Sequence, residues 1–378
     1  MRVGVDATSW GNRRGYGRFA RNAVGRLVEL DRETTYVFVA DRDAKGLPDG
    51  VEVLGVAGAG PAADAASNRS PVGLVRLGAA ASRAKLDALL FPSVYTYFPS
   101  LRVPTVVGIH DLIADDFPEL TLPTARARRL WKAKQRLAVK LAKRLFTVSE
   151  TSRRELSSRW GLAPTRIAVV TEAPDPVFWP RTPADVRRET AAIGLGQVER
   201  YLLYAGGISP HKNLETLVDR YAEVREELRL VIVGAPDDGY LSAGDAVRRR
   251  IDALGLGAGI VLPGYVSDEA LACLYSGATA VVLPSLAEGF GLPAVEAAAC
   301  GAPVVLSDIP AHRETLGDDA LYFPPRDAAM LAGLVQRLLG SDMLRRSLAE
   351  RGHRRVQRYT WHAAAEALRA LVHEAARG

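Results

Sequence analysis

The chain has 378 residues, 48% of them hydrophobic, which is more than one hydrophobic core usually accommodates and predicts two domains. Its net charge of +6 comes mostly from arginines in an Ala- and Gly-rich chain, a balance that GC-rich codon usage also produces, so charge alone does not select nucleic acid as a partner. The two cysteines, Cys273 and Cys300, lie in alanine-rich helical contexts, exclude a disulfide framework or a four-cysteine zinc site, and read as buried thiols.

The opening residues Met1 to Asp6 read as a buried strand, with no basic leader and apolar stretch of secretory type before it. No run of about 18 uncharged apolar residues follows. The expectation is a soluble, cytoplasmic protein. Short apolar runs then alternate with helical patterns, the signature of parallel sheets built from strand-helix-strand units. Strands are predicted at Val3–Asp6, Tyr36–Ala40, Val51–Val56, Ala88–Phe91, Thr105–Ile109 and Arg144–Val148, then at Tyr201–Ala205, Arg229–Val233, Ile260–Leu262, Ala280–Leu283, Val304–Leu306 and Leu321–Phe323. These suit two doubly wound α/β domains. The proline-rich segment from Thr171 to Pro183 marks the boundary, placed at 175/176. Gly58 to Pro71 reads as a surface loop, and the run from Met343 to Ala376 as helix.

In open α/β sheets, ligands bind outside the carboxyl ends of the strands, so the loops there carry the search for function. After Ala280–Leu283 comes Glu288-Gly-Phe-Gly-Leu-Pro-Ala-Val-Glu296. Gly289 and Gly291 allow close backbone approach, and Pro293 suits the first turn of a helix. The free N–H groups of that helix start favour an anion, with Glu288 and Glu296 flanking them. Such an arrangement suits a ligand with phosphates at its middle and hydroxyls at both ends. Phe290 is expected to be exposed.

This string resembles the retaining glycosyltransferases of family four, whose hallmark is a Glu, seven residues and a second Glu around Gly-Phe-Gly-Leu-Pro. The resemblance extends over nearly the whole chain and implies the GT-B fold: two Rossmann-like doubly wound parallel-sheet domains facing a central cleft that closes over the substrates. It assigns 1–175 to the acceptor, 176–358 to a nucleotide-sugar donor, and 359–378 to a helix returning to the first domain. It also implies that Glu296 binds the ribose hydroxyls, while Glu288, Gly289 and the backbone of Phe290, Gly291 and Leu292 hold the donor sugar and its phosphate.

The other candidates follow the same logic. Gly206 to Asn213 follows a predicted strand, and Lys212 there can meet a diphosphate as a point charge. Relatives carry an arginine after the first glycine or before the lysine, where this chain has Gly207 and His211. His211 replaces that second cation only when protonated. Gly15, Tyr16 and Gly17 open a helix after the first strand, and the resemblance makes them a glycine loop over the donor phosphates. His110 and Asp111 end the strand Thr105–Ile109, and a matching pair in relatives places His110 beside the donor sugar and acceptor. Thr147 to Glu150 is also similar to the family.

From Leu120 to Ser149 there is no acid, and Arg126, Arg129 and Lys132 belong to a helix expected to bury Leu130, Ala133, Leu137 and Leu141. Its cationic face suits anionic lipid, a phosphorylated acceptor or plain solvent. Asp41-Arg-Asp43 matches a metal-binding pattern, but sits at a predicted turn where aspartates serve the backbone. With Lys212, helix termini and glycine amides to neutralise the diphosphate, neither a metal nor another cofactor is expected.

The function expected is transfer of a hexose-type sugar, GDP-mannose being one candidate donor, to a hydroxyl of a lipid-linked sugar, polysaccharide or small natural product. The resemblance implies retention. The alternatives are a sugar-nucleotide epimerase, a phosphorylase, for which no pyridoxal-binding lysine is evident, and a non-catalytic sugar-nucleotide binder. The presence of both His110 and Lys212 favours an enzyme.

Overall fold

Apolar stretches that begin and end abruptly, such as Leu202-Leu-Tyr204 and Val281-Val-Leu283, are buried on both faces, as strands in the middle of a parallel sheet must be. A computed structural model describes residues 1–12, 15–41, 44–56, 71–122, 124–195, 200–234, 244–327 and 329–377. The expected surface loop from Gly58 and the Asp41-Arg-Asp43 pattern fall wholly or partly outside them. The described residues form two compact units, Met1–Glu172 with Thr360–Gly378, and Ala173–Tyr359.

The first unit is built on β1 (Arg2–Asp6), β2 (Thr35–Ala40), β3 (Glu52–Gly55), β4 (Ala88–Phe91), β5 (Thr105–Gly108), β6 (Arg144–Thr147) and β7 (Ile167–Val169). They make one parallel seven-stranded sheet in the order β3-β2-β1-β4-β5-β6-β7. Register runs Val3 to Tyr36 and to Ala88, then Val106 to Arg144 and Leu145 to Ile167. β7 is an addition to the expected set, because three apolar residues behind Arg166 are too short to show a period. Its pairing with β6 carries the chain on to Glu172. The helix Trp361–Arg377 belongs to this unit and packs on β4, β5 and the helix Gly25–Leu30. His373 is hydrogen-bonded to the buried Asp31 at 2.7 Å and fixes its far end.

The second unit holds β8 (Tyr201–Ala205), β9 (Arg229–Val233), β10 (Ile260–Gly264), β11 (Ala280–Leu283), β12 (Val304–Ser307) and β13 (Leu321–Phe323). The order is β10-β9-β8-β11-β12-β13, again all parallel. In both sheets the chain first winds outward from the opening strand and then crosses back, so the order reverses between β1 and β4 and between β8 and β11. That reversal opens a crevice at the carboxyl ends. The proline-rich segment is anchored in this unit, with Phe178 buried against Tyr275 and the Arg181 amide donating to Ser276 Oγ at 3.0 Å.

One helix departs from expectation. Ala125–Leu141 buries Ala127, Trp131, Gln135 and Ala138, not the leucine stripe. Trp131 stacks on Tyr95, and Trp131 and Gln135 both donate to Asp115, so an aromatic-amide pair outcompetes the leucines for the sheet. Leu130 and Leu137 face solvent, 44% and 39% exposed.

Candidate functional site

In the second unit the loops after β8, β11 and β12 meet. Asn213, in the left-handed region at φ 55°, donates to the carbonyls of Pro284 and Pro325 and so ties the first loop to the second. Tyr204 Oη donates to the carbonyl of Gly207 at 2.8 Å and holds that loop's start. Gly291 has φ +84°, and a Cβ there would stand 3.1 Å from the His312 ring. Glycine is required at this position by both conformation and space. The helix Leu292–Ala299 begins immediately after it, with Pro293 in its first turn, and is buried along nearly its whole length.

The loops bring Lys212 and Glu288 together. Lys212 Nζ donates to both oxygens of Glu288, at 2.7 and 2.8 Å, and Ser285 Oγ donates to Oε1 at 2.7 Å. The pair is largely buried, the side chains being 17% and 10% exposed. Burial pushes the Glu288 carboxyl up, but the Lys212 ammonium and the hydrogen bonds from Lys212 and Ser285 outweigh it and hold the acid at about 2. Lys212 is thus not a free point charge waiting for an anion. It is already paired.

The structure bears on three further expectations. His211 is buried, and burial first and the Lys212 charge second push it down to about 4, so in the free protein it is neutral near neutral pH. Phe290 is 2% exposed, not exposed, because it packs edge-on to Tyr359 at 5.1 Å. Gly15, Tyr16 and Gly17 form the start of the helix Gly15–Phe19. Tyr16 is buried against Tyr95 and accepts from Asn12 Nδ2 at 2.7 Å, while a Cβ at Gly17 would stand 2.0 Å from the Asn12 carbonyl oxygen. The three residues thus open a helix as expected, with Tyr16 packed inward and Gly17 the glycine that space dictates.

Glu296 is buried in the second turn of Leu292–Ala299, 4% exposed. Two residues absent from the sequence-based set complete this region. Ser307, ending β12, donates to the carbonyl of Ser285. His312 lies wholly buried under Gly291, its Nδ1 donating to the Ser307 carbonyl at 2.9 Å. Ser307 closes a strand and His312 follows it, so the rule that found the other loops would have found them had it been applied to Ser307-Asp-Ile-Pro-Ala-His312.

In the first unit, His110 follows β5 and is 9% exposed. Its Nε2 donates to the Pro92 carbonyl at 2.8 Å, and its ring packs edge-on to Phe19. Burial pushes the imidazole down to about 4 against the backbone bond, so it is neutral at physiological pH, with a lone pair on Nδ1. That atom faces Glu172 Oε1 at 3.9 Å. Glu172 escaped notice because β7, which delivers it, did. Asp111 accepts from the Ile113 amide at 2.9 Å and starts the short helix there. Arg126, Arg129 and Lys132 are exposed on Ala125–Leu141, away from its buried side.

Comparisons with known proteins agree with this architecture. Residues 185–355 match the family model "Glycosyl transferases group 1", and residues 13–176 match "Glycosyltransferase Family 4". The chain is 31% identical to O-antigen chain mannosyltransferase B of Escherichia coli over 70% of its length and 69% of that protein's. It is 33% identical to the D-inositol 3-phosphate glycosyltransferase of Frankia alni over 59% of this chain and 56% of that one. Among solved structures, sucrose-phosphate synthase of Thermosynechococcus elongatus superposes with a TM-score of 0.77 at 21% identity over 99% of this chain and 98% of that one. Anabaena HepE, solved with UDP-glucose, does so at 0.77 and 17% identity over 99% of both chains. Among the described residues no helix is long and apolar enough to cross a membrane. With two parallel doubly wound sheets, the double-Glu string on the loop after β11 and these relatives, the chain belongs to the family-four glycosyltransferases and has their GT-B fold.

Proposed function

We propose that this glycosyltransferase moves a hexose from a nucleoside diphosphate donor to a hydroxyl acceptor with retention at the anomeric carbon and without a metal. The donor is assigned to the second unit. One arrangement carries the reading: the Lys212–Glu288 pair lies beside the Gly291 turn, where the buried helix Leu292–Ala299 presents its first amides. A diphosphate there competes for Lys212, and as the ammonium turns to phosphate, Glu288 is released to accept from hydroxyls of the donor sugar. Glu296, one turn along, is assigned to the ribose. Leaving-group stabilisation then rests on Lys212 and backbone amides, and the departing phosphate takes the acceptor's proton. His110, neutral and held by Pro92, is assigned to the sugar and acceptor end. The mannosyltransferase similarity supports a hexose, and the UDP-glucose bound by Anabaena HepE supports a nucleotide sugar.

Stabilisation measured by thermal shift with UDP-, GDP-, ADP- and dTDP-sugars tests the reading. One of them is expected to raise the melting temperature, and stabilisation by none would count against it. Glu296→Ala is expected to weaken donor binding by more than about tenfold, the scale of one charge-assisted hydrogen bond. Unchanged affinity would sink the ribose assignment.

The exposed leucines of Ala125–Leu141 favour one further reading. Leu130 and Leu137 share the solvent side with Arg126, Arg129 and Lys132, a combination suited to the headgroup region of an anionic membrane that holds a lipid-linked acceptor. Binding to vesicles of anionic but not neutral lipid is the measurement that decides it.

A further inference from the structure

The two segments that carry the proposed donor residues, 206–213 and 284–299, contain one lysine, Lys212, and no arginine, against two glutamates, Glu288 and Glu296. Lys212 is engaged by Glu288 through both carboxylate oxygens. A doubly charged diphosphate brought to this place meets an excess of negative charge, at a largely buried site where such repulsion is weakly screened. Binding there calls for positive charge that the resting arrangement does not display.

His312 is placed to supply it. Its side chain is fully buried, and its Nδ1 is committed to the Ser307 carbonyl at 2.9 Å. Its Nε2 is buried with no hydrogen-bond partner. Leaving a polar atom in that state costs on the order of 1–3 kcal/mol, so its persistence asks for a reason. The same edge of the ring lies under Gly291: a Cβ on that glycine would be 3.1 Å from Cδ2 and 3.5 Å from Nε2. The orphaned nitrogen thus sits directly behind the turn whose amides are assigned to phosphate.

We propose that His312 takes up a proton at Nε2 when the diphosphate binds and serves as the second cation of the donor site. The proposal rests on the donor assignment above. The proton comes from solvent, and the imidazolium keeps its bond to Ser307 through Nδ1 while Nε2–H points toward the Gly291 turn. In the free protein, burial keeps His312 below the ordinary histidine range, and Lys212 acts in the same direction, while Glu288 and the Ser307 carbonyl oppose them. The arrival of the anion and the release of Glu288 from Lys212 both favour the charged form. On the helix Asp342–Val356, Arg351 and Arg355 reach Asp319, and on His312's own helix, Pro310–Leu316, Arg313 pairs with Asp308. His211 is a poorer candidate, because Ser209 Oγ lies 3.3 Å from its Nδ1 and 3.5 Å from its Nε2, so its ring holds no orphaned nitrogen like that of His312.

The test is calorimetric titration with UDP-glucose, GDP-mannose, ADP-glucose and dTDP-glucose, whose diphosphates exchange no proton of their own near neutral pH, in buffers of different ionisation heat at pH 7.5. For whichever binds, the wild type is expected to take up about one proton per ligand, and its affinity to fall as pH rises, by up to tenfold per unit. His312→Asn, whose amide can keep the bond to Ser307, should take up none. It should bind roughly a hundredfold more weakly at pH 6.5 and about equally well at pH 9. His312→Phe guards against a defect peculiar to the amide and should behave likewise, with folding followed by melting temperature. Binding without uptake in the wild type, or uptake that persists in both variants, overturns the role of His312 and leaves the donor assignment standing. Failure of all four to bind the wild type overturns the donor assignment and this proposal with it.

Discussion

At the scale of single residues, Lys212 and Glu288 show how a site can be assembled from charges that are costly separately. Each is largely buried, and each is acceptable there because the other is present. Lys212→Met leaves a carboxylate without its ammonium and is expected to destabilise the second unit by about 3 kcal/mol, with Glu288→Met comparable. Replacing both removes the uncompensated charge, so the double variant should be more stable than either single one while still failing to bind donor. Urea unfolding of the three proteins measures this. A double variant as unstable as the sum of the singles would show that the two charges do not answer each other. Both residues were recognisable from motif spacing, but their bond was not, because 76 residues separate them.

At the scale of elements, Ala125–Leu141 is the instructive case. Its apolar residues recur at a spacing that predicts a buried leucine stripe, yet Trp131 and Gln135 take the inner face because Tyr95 and Asp115 offer them a ring and a carboxylate. A periodic pattern names a face without naming what lies opposite. With the leucines outward, the helix presents apolar and cationic side chains together. Reversing Arg126, Arg129 and Lys132 to glutamate should leave the melting temperature within about 1 °C, since surface charges contribute little to folding. Co-sedimentation with anionic vesicles should drop steeply, at about 1 kcal/mol per basic residue removed. Retention of vesicle binding by that variant would refute the membrane assignment of this face. β7 is the opposite case, an element too short to announce itself that nevertheless delivers Glu172 to His110.

For the whole molecule, each unit buries a neutral histidine on a segment that follows a strand, His110 after β5 in the first unit and His211 after β8 in the second. Both titrate near 4 in the folded chain against an ordinary value of 6.5. Between those pH values the unfolded chain binds a proton that the folded chain does not, so stability falls as pH drops from 6.5 to 4 and this contribution levels off below 4. The full effect is on the order of 3 kcal/mol for each histidine. Glu288 adds a later loss: its folded value near 2 lies below the ordinary 4.5, so its contribution is complete above 4.5 and disappears as pH falls toward 2. Melting temperatures measured from pH 7 to pH 4 should decline for both units. The His110→Asn, His211→Asn protein should decline less, and an identical slope would mean that these imidazoles are not held neutral.

The alternation of apolar strands with helical segments, the double-Glu string and the position of Lys212 after a strand were all legible in the chain, because each depends on neighbours a few residues away. Local chemistry sets where a parallel strand can lie and where a glycine turn can open a helix. Which side chains meet depended on the tertiary structure. Phe290 went inward because Tyr359 lies opposite it, His211 lost its charge because the fold desolvates it, and the ammonium of Lys212 found a carboxylate on another loop. His312 came to rest under Gly291 because β12 runs beside β11. Strand order and burial are settled by contacts between distant segments, and those contacts, more than the residue types, decide which groups at this site carry charge.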